Sequence, residues 1–147
     1  MKEIYLSCSR KDRSSEDRLR KGLSPALSQL GLTLWGERDS PPGGKWKDEM
    51  KKHLGNAHVF IALVSPEFLA DSMCTKETQA AMYRAEHEGL KIISIRMRPC
   101  LFEYSALAAY AVLPKDGRTI AEHKNQDVAW TEVLRDLIEM IRVSHRY

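Results

Sequence analysis

The sequence is poor in cysteine, and its three cysteines, Cys8, Cys74 and Cys100, lie far apart. An odd number at wide spacing is not typical of a disulfide framework or of a structural zinc site, because both need paired cysteines. We therefore expect a protein of a reducing compartment, the cytoplasm, with no bound metal.

Long apolar runs and an excess of one charge are missing as well. No stretch of the sequence approaches the roughly 20 apolar residues that span a membrane, and the opening MKEIYLSCSR has no apolar signal-peptide centre. The 23 Lys and Arg are mixed with 20 Asp and Glu, which leaves a net charge of only +3. We expect neither a membrane nor a nucleic acid as a direct partner.

What remains is the composition of an ordinary globular domain. Of the 147 residues, 43% are hydrophobic and 29% are charged, and a domain of this size buries about 68–70% of its unfolded surface around one core. We predict a single domain over residues 1–147. The sequence leaves open whether that domain is a whole protein or a module cut from a longer multidomain chain.

The apolar segments predict strands that alternate with helices. The run His58–Ser65 is almost continuously apolar, which is typical of a central strand covered on both faces. Alternation of this kind predicts an α/β fold, a parallel sheet in a doubly wound sandwich with helices on both faces. The other predicted strands are Glu3–Cys8, Leu32–Trp35, Lys91–Met97 and a short fifth strand that ends at Pro114. The predicted helices are Arg18–Gly31, a helix marked by Trp46, Met50 and Leu54, a helix through Glu77 that ends at Gly89, and a helix from Val128 to Ile141.

Ligands of such folds bind beyond the carboxyl ends of the strands. The candidate positions are Cys8, Ser9 and Arg10 after the first strand, the loop Gly36–Lys45 after the second, and the loop segment from Ser65 to Cys74 after the third. The first turn, SCSRKDRSS, contains no glycine, which argues against a dinucleotide-binding turn, and PPGGKW does not fit a phosphate-binding loop.

Several blocks, in order, resemble a Toll/interleukin receptor (TIR) domain of the bacterial type. They are IYLSCSRKD, LGLTLWGERDSPPGGKWKDEMKKHLGNAHVFIALVSPEFLADSMCTKE, IISIRMRPC and LPKDGRTIAEHKNQDVAW. The resemblance covers essentially the whole chain and implies a flavodoxin-like fold with a five-stranded parallel sheet in the order 2-1-3-4-5. Gly36–Lys45 then matches the family's BB loop, which bends over the site and mediates homotypic TIR–TIR assembly.

The resemblance also implies an activity. Many bacterial, plant and axonal TIR domains cleave NAD+ to release nicotinamide, and some cyclise the ADP-ribose that remains, with a catalytic Glu early in the helix after the third strand. Glu77, in CTKE, occupies that position. The implied protein is an NAD+ glycohydrolase or cyclase of bacterial anti-phage immunity, which uses NAD+ as substrate without a cofactor and becomes active when a sensor domain oligomerises it.

A single carboxylate suits this reaction. Nicotinamide leaves as a neutral molecule from a cationic precursor, so no acid has to protonate it, and a negative charge stabilises the oxocarbenium-like transition state. Trp35 and Trp46 flank the loop as candidate walls for nicotinamide, and Arg10 is a candidate partner of the diphosphate. Cys8, Ser9 and Met73 complete the predicted substrate contacts.

Two departures from the family keep other interpretations open. Met73 lies one helical turn before Glu77, where many active relatives have Trp, and Cys8 stands where Tyr is common. Glu77 would then be a helix-start charge worth about 0.3–1 kcal/mol, and the tryptophans would be core residues. The protein would be a non-enzymatic adaptor or scaffold acting through homotypic contacts. A nucleoside deoxyribosyltransferase, which shares the fold and uses a Glu nucleophile, is a more distant alternative.

Overall fold

The computed structural model describes residues 2–144, which form one parallel sheet with helices on both faces. The strand order is β2-β1-β3-β4-β5, so the predicted flavodoxin-like α/β fold is confirmed. The strands are β1 (Lys2–Ser7), β2 (Leu32–Gly36), β3 (Val59–Val64), β4 (Lys91–Arg96) and β5 (Ala111–Leu113).

The central strand is β3, as its apolar sequence predicts. All six of its residues are buried, and it pairs in parallel with β1 on one side and β4 on the other. A strand that is covered by helices on both faces has no solvent-facing side, which explains why VFIALV contains no polar residue.

Two groups of helices cover the sheet. Helices α1 (Arg13–Leu30) and α5 (Gln126–Ser144) pack on one face, where Ile4 and Leu6 of β1 point. Helices α2 (Trp46–Asn56), α3 (Pro66–Ala70) and α4 (Ser72–Glu88) pack on the other, where Tyr5 points. Successive side chains of a strand alternate between faces, so neighbouring residues of β1 serve different cores.

The helix ends agree with the sequence better than the helix starts do. Gly31 and Gly89 end α1 and α4 with φ of 66° and 76°, the left-handed conformation that glycine adopts without strain. However, α1 begins at Arg13, before the predicted Arg18, because its first turn is polar and carries no apolar periodicity. The segment after β3 was expected to be a loop, but Pro66–Ala70 forms the short helix α3.

The segment LFEYSALAAY, which the sequence left ambiguous, forms two 3-10 turns, Phe102–Tyr104 and Ala106–Ala109, before β5. Within residues 2–144, no helix is both long and apolar enough to cross a membrane. The same residues contain no cluster of three or more His, Cys, Asp or Glu that could hold a metal ion.

Candidate functional site

Glu77 is a buried carboxyl on the inner face of α4. The helix begins at Ser72 and has no acidic residue in its first turn, so Glu77 lies beyond the region where the helix dipole stabilises an acid. Together with Cys74 and Ala81 it belongs to the stripe that faces the sheet, and only 6% of its surface is exposed. A helix-start charge therefore does not account for this residue.

Two hydroxyls of β1 hold the Glu77 carboxyl group. The Tyr5 hydroxyl donates to Oε2, and the Ser7 hydroxyl donates to Oε1 at 2.9 Å. Both hydroxyls are buried, and they point to the same face because they are two residues apart on the strand. Glu77 is thus fixed at the carboxyl end of β1, the edge of the sheet where ligands of this fold class bind.

The surroundings of Glu77 favour its neutral form. Burial raises the pKa of the carboxyl to about 7, and the negative charges of Glu37 and Asp71 act in the same direction. The hydrogen bonds from the Tyr5 and Ser7 hydroxyls lower the pKa but only in part offset the burial. A carboxyl with these properties is divided between its two protonation states near neutral pH.

The space in front of Glu77 is small. It is a cleft of about 10 Å³, room for roughly one water molecule, and its lining consists of Leu6, Cys8, Arg13, Glu16, Glu37 and Glu77. Glu37 also accepts a hydrogen bond from Nε of the exposed Arg10 at 2.8 Å. This ion pair joins the loop after β1 to the loop after β2 beside the cleft.

The three predicted residues after β1 have different environments. Cys8 lines the cleft, and its half-buried thiol donates to the backbone oxygens of Ser9 and Asp12 at 3.2 and 3.6 Å. Burial raises the pKa of this thiol to about 12, so it is not a nucleophile at neutral pH. The Ser9 hydroxyl accepts the backbone N–H of Lys11 at 3.2 Å and caps the 3-10 turn Arg10–Asp12.

The two predicted aromatic walls do not lie at the cleft. Trp35 is 7% exposed and packs in the core, where it stacks on His53 at a centroid distance of 4.3 Å and touches the Tyr5 ring at 5.4 Å. Trp46 begins α2 and is half-buried, and Met73 is half-buried in the first turn of α4. The cleft is lined by none of these three side chains.

A second buried carboxylate, Asp12, connects the ends of three strands. Its Oδ2 accepts a hydrogen bond from Ser65 after β3 at 2.5 Å, and its Oδ1 accepts one from Arg98 after β4 at 2.8 Å. The Ser65 hydroxyl also accepts the backbone N–H of Phe68 and caps α3. This network holds the loops at the carboxyl edge of the sheet in place.

Glu16, the third buried carboxylate of this edge, has cationic partners. Its oxygens lie 2.9, 3.7 and 3.8 Å from guanidinium nitrogens of Arg20, Arg13 and Arg38. Arg20 also pairs with Asp39 at 2.8 Å, so the start of the Gly36–Lys45 loop is anchored to α1. Glu77, which lines the same cleft, forms no ion pair within the described residues.

Sequence reasoning missed Tyr5, Ser7 and Glu37. The alternation in IYLS did carry a signal, since it puts Tyr5 and Ser7 on one face of β1 and Leu6 on the other. Their contact with Glu77 spans 72 and 70 positions of sequence, and nothing in a single sequence reports such a pairing.

Solved TIR domains have the same fold. The TIR domain of the Toll-related receptor TRR-2 from Hydra magnipapillata is 21% identical, with a TM-score of 0.60, and the match covers 95% of this chain and 97% of that one. The TIR domains of the activated Roq1 resistosome, which directly recognises the pathogen effector XopQ, are 13% identical, with a TM-score of 0.55, and the match covers 95% and 84%.

A bacterial relative and the family comparison agree with the fold. An uncharacterised protein of Sinorhizobium fredii, y4lF, is 26% identical over 140 residues, which are 95% of this chain. The match spans 43% of the length of that relative. Residues 4–137 match the TIR domain family, and this protein therefore belongs to that family.

Proposed function

We propose that the protein is an NAD+ nucleosidase in which Glu77 is the catalytic carboxylate. The observation that carries the proposal is the state of Glu77, a buried carboxyl without an ion-pair partner in residues 2–144, held by two hydroxyls at the ligand-binding edge of the sheet. The proposed substrate contacts Cys8 and Arg10 follow β1, at the same carboxyl edge of the sheet.

Glu77 would stabilise positive charge in the transition state and would not donate a proton. When the bond between ribose and nicotinamide breaks, its electron pair goes to the pyridine nitrogen, which becomes neutral, and positive charge develops on the ribose. The ionised Glu77 stabilises that charge, and a water then adds to the ribose and gives up a proton. Attack by the adenine instead of water would give a cyclic product.

The closed cleft supports activation by assembly. A space of about 10 Å³ admits no ribose, so the entrance has to widen before NAD+ reaches Glu77. Since Glu37 of the Gly36–Lys45 loop lines the cleft, a contact that moves this loop opens the site. We propose that homotypic TIR–TIR contacts through this loop do so, driven by a fused or separate sensor domain.

The proposed setting is bacterial anti-phage immunity in the cytoplasm. The match to one part of the Sinorhizobium protein is compatible with an attached sensor, and the Roq1 TIR domains belong to an activated resistosome that recognises a pathogen effector. These likenesses support an immune effector that works as an assembly.

The test is nicotinamide release from NAD+ by the concentrated protein, with and without a crowding agent to force assembly. Glu77→Gln should lower the rate about 10²–10³-fold, the usual cost of losing a preorganised electrostatic group. Glu86→Gln is the matched control, because Glu86 is an exposed carboxylate of the same helix. Nicotinamide release that survives in Glu77→Gln overturns the catalytic assignment.

A scaffold is the second candidate, and the closed cleft is the observation that favours it. In that case the protein self-associates through the Gly36–Lys45 loop without turnover. Assembly seen by light scattering, with no nicotinamide released by the assembled wild type, would support the scaffold and reject the enzyme.

A further inference from the structure

We infer that Tyr5 is a positioning residue for Glu77. The Tyr5 hydroxyl orients the Glu77 carboxylate and favours its ionised form. The inference rests on the proposed function for its consequence in catalysis, although the contact itself can be tested without any activity. Tyr5 belongs to the hydrophobic core, and only 1% of its surface is exposed. It therefore cannot contact a substrate directly.

The Tyr5 ring is held by its neighbours across the sheet. In the strand register Tyr5 pairs with Trp35 of β2 and with Phe60 of β3, and its ring lies 5.4 Å from the first and 5.6 Å from the second, nearly parallel to Phe60 at 12°. We call these three residues the aromatic row. Because a clamped ring leaves the hydroxyl little freedom, the row fixes the place at which Glu77 is bound.

Tyr5 and Ser7 use only part of what Glu77 offers. An ionised carboxylate accepts about four hydrogen bonds, and two positions are taken by these hydroxyls. The remaining lone pairs stay available to ribose hydroxyls once the cleft has opened. The two hydroxyls therefore orient the carboxylate and leave about half of its hydrogen-bond positions free.

The groups around Glu77 make these hydroxyls decisive for its charge. Glu37 and Asp71 oppose ionisation, and the thiols of Cys8 and Cys74 are neutral because burial raises their pKa. Arg13 also lines the cleft, but its guanidinium pairs with Glu16. The Tyr5 and Ser7 hydroxyls are therefore the groups that lower the pKa of Glu77.

Tyr5 stays protonated, and able to donate, at every pH at which Glu77 titrates. Burial and the neighbouring Glu77 raise its own pKa far above the ordinary value. The bond it donates to an ionised carboxylate is of the stronger, charge-assisted kind. Losing that donor should therefore make Glu77 a weaker acid.

The deciding variant is Tyr5→Phe, which removes the hydroxyl and keeps the ring. The titration midpoint of Glu77, followed by carbon-13 NMR of labelled glutamate carboxyls and assigned with Glu77→Gln, should rise by about one to two pH units. Because the ionised fraction of Glu77 falls, nicotinamide release should drop about 5–50-fold at pH 7, and this part of the loss should disappear above about pH 10. Tyr104→Phe, whose ring is 83% exposed, is the control and should change neither.

Each result decides one question. If the wild type releases no nicotinamide, the proposed function fails, while the NMR titration still decides the role of Tyr5. A Glu77 midpoint in Tyr5→Phe equal to that of the wild type overturns the inference. If Tyr5→Phe does not fold, the carbon-13 signal of the Tyr5 Cζ in the wild type takes its place: it should move with the titration of Glu77, and a signal that stays constant through that titration overturns the inference.

Discussion

Replacing Glu77 with Gln should stabilise the folded protein at alkaline pH. In the folded protein, burial raises the pKa of Glu77 from 4.5 to about 7, so the native state binds the proton more tightly than the unfolded chain does. The stability contributed by this group is fully present below about pH 4.5 and is lost as the pH rises through about 7. Gln cannot ionise and avoids that loss.

The size of the effect follows from the shift. The difference between 4.5 and about 7 is about 2.5 pH units, which at about 1.4 kcal/mol per unit is about 3 kcal/mol. Gln occupies the same volume and can accept from one hydroxyl and donate to the other, so imperfect hydrogen bonding takes back at most about 1 kcal/mol. We expect a gain of about 2–3 kcal/mol at about pH 8 and almost none at about pH 4.5.

The assay is urea unfolding of both proteins across this pH range. Glu16→Gln is the matched control, because Glu16 is another buried glutamate, 4% exposed, but surrounded by arginines. Removing its charge takes the shared carboxylate away from three guanidinium groups, of which Arg20 and Arg38 keep Asp39 and Asp17 as partners, and should lower the free energy of unfolding by about 1–3 kcal/mol, the opposite sign. The reasoning is refuted if Glu77→Gln is less stable than the wild type at about pH 8, or if the difference does not change with pH.

Three further substitutions test the fold. Gly31→Ala should lower the free energy of unfolding by about 1–2 kcal/mol, because Gly31 has a φ of 66° that an L side chain adopts at a cost; an unchanged urea midpoint would contradict this. Leu63→Ala should cost about 2–5 kcal/mol by leaving a cavity in the central strand. Arg98→Ala should lower the free energy of unfolding by about 2–3 kcal/mol, because it leaves the buried Asp12 charge without its guanidinium partner. Adding Asp12→Asn should restore part of that free energy. A double variant whose loss is the sum of the two single losses would argue against the pairing.

The sequence predicted those features that depend on local pattern. The continuous apolar run of β3 indicated a central strand, and glycines 31 and 89 indicated helix ends, because each of these follows from the residues themselves. The position of Glu77 on a helix after that strand was also predicted, from the resemblance to TIR domains. What was not predicted is that this side chain turns inward to β1.

Trp35 illustrates why the rest could not be predicted. Its place beside the Gly36–Lys45 loop made it a candidate wall for nicotinamide, and the end of a strand is indeed next to the site. Which face of the strand it occupies depends on pairing with β1, where it lies opposite Tyr5. That register is a tertiary property, so the indole proves to be a core residue in contact with a residue that binds Glu77.

The Arg10–Glu37 ion pair, beside the cleft, responds to solvent differently from the groups inside the cleft. Arg10 is 72% exposed and Glu37 27%, so dissolved ions reach this contact and screen it over a Debye length of about 8 Å at physiological ionic strength. The hydrogen bonds of Glu77 are buried and uncharged on the donor side, and salt leaves them unchanged. Ionic strength therefore weakens the ion pair beside the cleft and leaves the hydrogen bonds of the carboxylate intact.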